Sequence, residues 1–232
     1  MFVANYPLKS FVQKTMMALH VPLDYGTFHP YRALQQRALE DTMDFITREM
    51  PRAIAFDTPK ELMEHAIKQI RLKGLVCVFG VNEGGSINHM AKCLPDRQLD
   101  GFDSFEGLPE DWAGNQMEAG YFDRKGKLPK VAKNIRLHAG WFDKSLPAFV
   151  AQNTGPAAFL HIDCDIYSST VTILTELESR IVPGTVLLFD EYFNYPAWAA
   201  HEHKAFQEFI ARTGKPFEYI GYSFKQVAVV MK

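Results

Sequence analysis

At 232 residues, with 47% hydrophobic and 22% charged side chains, the chain has the make-up of a soluble globular protein with one large core. Twenty-five basic residues against 27 acidic ones leave a net charge of −2, which argues against a polyanion-binding surface and so against a nucleic-acid partner. No apolar run approaches the roughly 18 residues of a bilayer span, and the N-terminus lacks the pattern of a signal peptide, so no membrane partner and a cytoplasmic location are expected.

Residues 1–34 are broken by Pro7, Pro22 and Pro30 and read as an N-terminal arm, with a short amphipathic helix over 8–19. Residues 33–49 carry apolar positions at helical spacing, and Pro51 stops them. Thr58-Pro59-Lys60-Glu61 is a capping-box start with proline at the first helical position, so a second helix is expected to about residue 72. Residues 75–79 form an unbroken apolar run, the signature of a strand buried on both faces of a parallel sheet. The run ends at Gly80 and a turn containing Glu83, Gly84 and Gly85, after which Ser86 opens a helix over 87–94. Glycines there permit close approach of a ligand, and a helix N-terminus favours an anion. The Gly80-x-x-x-Gly84-Gly85 spacing departs from the dinucleotide fingerprint and suits an adenosyl ligand without a pyrophosphate.

A short strand over 98–102 leads to Asp103, about twenty residues past the turn, where nucleotide-binding sheets accept ribose hydroxyls. Residues 104–129 are irregular and long enough for a functional loop. Strands follow at 135–139, 157–162 and 185–189, with helices over 145–152, up to about 180, and over 199–213, before a closing pair of strands at 217–222 and 226–230. The order is an α/β doubly wound, mostly parallel sheet preceded by helices, with a hairpin-like C-terminal pair.

In such a sheet the carboxyl ends of the strands share one crevice, and Asp103, Asp163, Asp165, Asp190 and Glu191 all fall at such ends. Carboxylates so crowded repel one another unless a cation sits among them, and hard oxygen donors favour Mg2+. His161 reads first as a hydrogen-bonded core residue. Aromatic residues near the predicted mouth, Trp112, Tyr121, Phe122, Tyr192, Tyr195 and Trp198, suit stacking on a sugar or a ring. Cys77, Cys93 and Cys164 are odd in number, show no metal-ligand spacing and read as buried thiols.

Taken together, the turn over 80–86, Gly-Phe-Asp-Ser-Phe-Glu-Gly-Leu-Pro (101–109), His-Ala-Gly-Trp-Phe (138–142), His-Ile-Asp-Cys-Asp-Ile-Tyr-Ser-Ser-Thr (161–170), Pro-Gly-Thr (183–185) and Phe-Asp-Glu-Tyr (189–192) resemble the macrocin O-methyltransferase family. The resemblance covers about residues 70–232. It implies a Rossmann-like class I methyltransferase domain over 71–232, S-adenosylmethionine as methyl donor, a divalent metal, and a sugar or phenol hydroxyl on a small molecule as acceptor. Residues 1–70, outside it, are expected as a covering arm and helices that shape the acceptor region or a subunit contact, and these extra helices point to a homo-oligomer. On that reading Gly80, Glu83, Gly84, Ser86, Asp103, Ser104, Gly140, Trp141 and Asp163 border the cofactor, while Asp163, Asp190 and Glu191 hold the metal. Asp163 is the expected base as well as a ligand, with Asp165 and His161 in reserve. Two positions depart from the family pattern: Val78 stands where an acidic residue is usual, and Glu191 where aspartate is. A non-catalytic cofactor-binding relative stays open as an alternative, and a nicotinamide-dependent oxidoreductase is disfavoured by the glycine spacing.

Overall fold

The computed structural model describes residues 29–232; the helix expected over 8–19 lies outside them. The chain opens with α1 (Pro30–Glu49), a two-residue strand β1 (Ile54–Ala55) and α2 (Pro59–Lys68). The capping box forms as read: Thr58 accepts from the Glu61 backbone while the Glu61 carboxylate accepts from the Thr58 amide. Then come β2 (Leu75–Phe79), α3 (Gly85–Cys93), β3 (Leu99–Asp103) and, after the long loop, β4 (Ile135–Ala139) and α4 (Phe142–Gln152). β5 (Ala157–Ile162), α5 (Tyr167–Glu176) and β6 (Val186–Phe189) follow. A 3-10 turn (Trp198–Ala200), α6 (Glu202–Thr213), β7 (Phe217–Tyr222) and β8 (Val227–Met231) complete the chain.

The strands form one eight-stranded sheet in the order β1-β7-β8-β6-β5-β2-β3-β4. β8 runs antiparallel to both neighbours and every other pairing is parallel. This is the mostly parallel, Rossmann-like sheet that the resemblance implies. One strand was not legible: Ile54–Ala55 is too short to carry a periodicity, and it exists because β7 offers it a parallel edge. Helix limits moved where capping overrode apolar spacing. α2 stops at Lys68, four residues before the expected end, and α3 begins on the left-handed Gly84 cap rather than after Ser86. α4 starts at Phe142, because the Trp141 carbonyl accepts from the Lys144 and Ser145 amides.

Two apolar layers sandwich the sheet. One holds Leu62, Ala66, Val76, Val78, Ile87 and Phe159 beneath α2 and α3, and the other packs α1, α4, α5 and α6 against the opposite face. Chain reversal between β2 and β5 leaves a crevice at the carboxyl ends of the strands, the usual ligand position in such a sheet. Among the described residues no helix is long and apolar enough to cross a membrane.

Candidate active site

The strand ends are laced together one residue past the regular ladder. Gly80 N donates to Phe102 O at 2.9 Å, Asp163 N to Phe79 O at 2.8 Å, Asp190 N to Ile162 O at 2.9 Å and Gly140 N to Asp103 O at 2.9 Å. Each of these bonds fixes the first residue of the turn beyond a strand, so the turns after β2, β4, β5 and β6 meet at one rim. A cavity of about 740 Å3 opens there, within the size of small-molecule sites.

Gly80 has φ +92°, and a Cβ at that position would drive into the Asp163 carbonyl, so glycine is required both by conformation and by space. The turn that follows is held by Asp103. Its Oδ2 accepts from the amides of Val81 and Asn82, both at 2.8 Å, and its Oδ1 from Phe105 N at 2.7 Å. A carboxylate has about four acceptor positions, so roughly one is left to face the cavity. Val78, at the position where the resemblance expects an acid, is fully buried in the apolar layer beside its register partner His161. The turn takes its polar anchor from the next strand instead.

Gly80, Glu83, Ser86, Asp103, Ser104 and Trp141 line the cavity. Gly84 and Gly140 do not line it; they shape the turns behind its wall. Glu83 is largely exposed and pairs with Arg124 at 2.8 Å, which ties the 104–129 segment to the turn after β2. That segment folds over the crevice, contributing Gly107, Leu108, Trp112, Asn115, Met117 and Phe122 to the cavity wall. Of the aromatic residues expected at the mouth, Trp112 and Phe122 are there, whereas Tyr192, Tyr195 and Trp198 are buried, packing with Phe45 of α1 and His203 of α6 or beneath Trp112. Helical arrival of α1 on that side converts expected ligand contacts into core.

Asp163, Asp165 and Glu191 bring their carboxylate oxygens within 4.8 Å of one another, and all three line the cavity. A second group, His161, Asp163 and Asp190, shares Asp163 and lies behind them. Of the three expected metal ligands, Asp163 and Glu191 are therefore joined by Asp165, with Asp190 on the inner side. There Asp190 Oδ1 is 3.6 Å from the ring of the fully buried His161, and Gln226 donates to its Oδ2 at 3.3 Å. Burial alone would raise the Asp190 pKa, but the His161 and Gln226 contacts outweigh it and hold the carboxyl below its usual range.

The others go the opposite way. Burial first, then the Asp190 charge, pushes Asp163 and Glu191 well above the ordinary carboxylate range. The same two causes carry Asp165 up to about 7, with the Lys225 ammonium pulling against them. Asp165 also holds φ +68°, a left-handed conformation that aspartate tolerates better than most residues. Lys225 sits 3.8 Å from Glu191 Oε1 and over the rings of Trp112 and Tyr195.

Sequence reasoning missed Glu202. It reads as an ordinary acid in the first turn of α6, yet it is fully buried. One oxygen accepts from Asp165 N at 3.3 Å and the other from Glu191 N at 3.1 Å, so a single carboxyl braces two of the cavity's carboxylate turns. Burial and the Asp165 charge raise its pKa strongly.

A family model described as a methyltransferase domain matches residues 77–192, half of the chain and the whole of this rim from β2 to the end of β6. The 8-demethyl-8-(2,3-dimethoxy-alpha-L-rhamnosyl)-tetracenomycin-C 4'-O-methyltransferase of Streptomyces olivaceus is 31% identical over 135 residues, covering 49% of this chain and 51% of that protein. The chain thus spans about half the length of that curated relative. Among solved structures, a calicheamicin methyltransferase superposes with a TM-score of 0.62 at 19% identity, over 99% of this chain and 95% of that one. The O-methyltransferase NovP gives 0.56 at 23% identity, over 74% and 78%.

Proposed function

Because the chain belongs to the methyltransferase-domain family, we propose that it moves a methyl group from S-adenosylmethionine to a hydroxyl of a glycosylated or otherwise polyhydroxylated small molecule, with a divalent cation, Mg2+ first. The observation that carries this reading is the meeting of three carboxylates, Asp163, Asp165 and Glu191, on the wall of the same cavity as the Gly80 turn. A curated relative that is a rhamnosyl 4'-O-methyltransferase supports the sugar acceptor.

The residues fit both groups. For the cofactor, the side-chain-free Gly80 leaves room for close approach, Asp103 keeps about one acceptor position for a ribose hydroxyl, and Trp141 supplies an aromatic wall. For the cation, the donors are all oxygen, they crowd within 4.8 Å of one another, and Glu191 Oε2 is buried with no hydrogen-bond partner among the described residues. When bound, the cofactor supplies an electrophilic methyl group and the ion supplies Lewis acidity to an acceptor oxygen.

The chain's own part is positioning and proton transfer. Asp163 and Glu191 offer the ligand oxygens, and His161 with Gln226 keeps Asp190 ionised beside them. Asp165, on the same cavity wall, takes the acceptor proton. Trp112, Phe122 and the bulk of the 104–129 segment cover the acceptor and exclude water.

The test is methyl transfer from labelled S-adenosylmethionine to a panel of rhamnosylated and phenolic acceptors, run in EDTA and again with Mg2+ restored. Turnover that EDTA removes and Mg2+ restores is expected. Turnover indifferent to EDTA would overturn the metal part, and failure to bind S-adenosylhomocysteine under either condition would overturn the whole reading.

A further inference from the structure

Away from the strand ends, α2 and α3 lie side by side and bring together Glu64, His89 and Cys93. His89 and Cys93 stand at i and i+4, hence on one face of α3, and Glu64 reaches them from α2. We propose that these three side chains form a binding site for a zinc-class transition metal, separate from the carboxylate cluster and independent of the methyl-transfer reading.

Geometry and donor chemistry carry the proposal. His89 Nε2 lies 3.1 Å from Glu64 Oε1 and 3.7 Å from Cys93 Sγ, and the three ligand atoms are all within 4.8 Å of one another. A zinc tetrahedron with usual bond lengths has edges of about 3.4 Å between nitrogen and oxygen and about 3.6 Å between nitrogen and sulfur. The two separations from His89 Nε2 lie within about 0.3 Å of those edges, and the Glu64 and Cys93 ligand atoms are within 4.8 Å of each other. One sulfur, one imidazole nitrogen and one carboxylate oxygen form a borderline-soft set that selects Zn2+ or Co2+ over Mg2+, whereas the carboxylate cluster selects the reverse. A fourth position is left for water.

The site is reachable. His89 and Glu64 keep 27% and 37% of their side-chain surface, and Cys93 is half-buried, unlike the fully enclosed Cys77. Cys93 is half-buried, not buried as expected, and no spacing of cysteines marks the group because the other candidate ligands are a histidine and a glutamate from a different helix. Lys60 Nζ, 3.9 Å from Glu64 Oε1, is the one cation that competes among the described residues; it is exposed and gives way at little cost. On binding, the proton of the Cys93 thiol and any proton on His89 Nε2 pass to water, leaving a thiolate and a neutral imidazole as ligands. The bound ion ties α2 to the helix whose N-terminus carries the Gly84-Gly85 turn.

The test is a Co2+ titration of the full chain followed by absorption, then displacement by Zn2+. Saturation at one equivalent with a thiolate-to-cobalt charge-transfer band is expected, and Zn2+ should abolish the band. Cys93→Ser removes the band, His89→Gln weakens Zn2+ binding at least about tenfold, and Asp163→Ala, which breaks the carboxylate cluster, leaves the band in place. Absence of a thiolate band in the wild-type protein, or its persistence in Cys93→Ser, overturns the proposal. Matching far-ultraviolet dichroism of the variants excludes unfolding as the cause of a lost band.

Discussion

Asp103 shows how one side chain serves both fold and ligand. Three of its roughly four acceptor positions hold amides of the glycine turn and of the loop start, and the remaining one faces the cavity. Gly80 is the complementary residue: its φ of +92° costs any other residue about 1–2 kcal/mol, and its missing Cβ leaves the Asp163 carbonyl in place. Gly80→Ala is therefore expected to lower the melting temperature and, by displacing Asp163, to weaken S-adenosylhomocysteine binding more than tenfold in a calorimetric titration. Unchanged affinity would mean that the turn does not contact the cofactor. The need for glycine at 80 was visible in the sequence, since an apolar strand ending in glycine leaves few alternatives. The anchor that replaces an acid at position 78 was not, because Val78 merely continues a buried strand while Asp103 reaches the turn from its neighbour, 22 residues away.

Among the elements, α6 carries more of the site than its sequence suggests. Glu202 stands in the first turn of α6, where the helix dipole favours an acid, and only docking of α6 under the rim turns it into a brace between Asp165 and Glu191. Parallel strands were legible because burial on both faces leaves unbroken apolar runs, as in β5 and β6. A buried carboxylate on an amphipathic helix has no such signature. As a positioning residue, Glu202 acts through the two amides it accepts. Glu202→Gln keeps the shape but turns an NH2 group toward one of those amides, leaving that buried donor unsatisfied at a cost of about 1–3 kcal/mol. The expected result is a kcat lower by about tenfold or more and a Mg2+ affinity reduced about 10–100-fold, with KM for S-adenosylmethionine nearly unchanged because the Gly80 turn is untouched. Equal losses in kcat and in cofactor KM would instead indicate a general structural role.

Across the whole molecule, the buried carboxyls make stability depend on pH in an unusual direction. Asp163, Asp165, Glu191 and Glu202 are all raised, by burial first and by neighbouring carboxylates second. A raised carboxyl keeps in the folded state a proton that the unfolded chain has released, so stability grows as pH falls through the folded value and is lost as pH rises through it. With Asp165 near 7, the change begins above neutrality and continues downward toward the ordinary value near 4. His203 opposes it at lower pH: burial lowers its pKa to about 4, so it destabilises the fold as pH drops below about 6.5. Between pH 8.5 and 6.5 the carboxyls act in the same direction as the thiols Cys77 and Cys164, whose pKa burial also raises, and the protein in EDTA is expected to melt at a higher temperature at pH 6.5 than at 8.5. A divalent ion binds only the ionised carboxylates, so excess Mg2+ should reverse the order. At a hundred times its dissociation constant it adds about 2.7 kcal/mol, which for a chain of this length corresponds to about 5–10 °C at the alkaline end. Differential scanning calorimetry at both pH values, with EDTA and with Mg2+, reads all four conditions directly. A melting temperature in EDTA that is flat or rises toward pH 8.5 would show that the carboxyls are not held protonated, and no response to Mg2+ would remove the cation from the site.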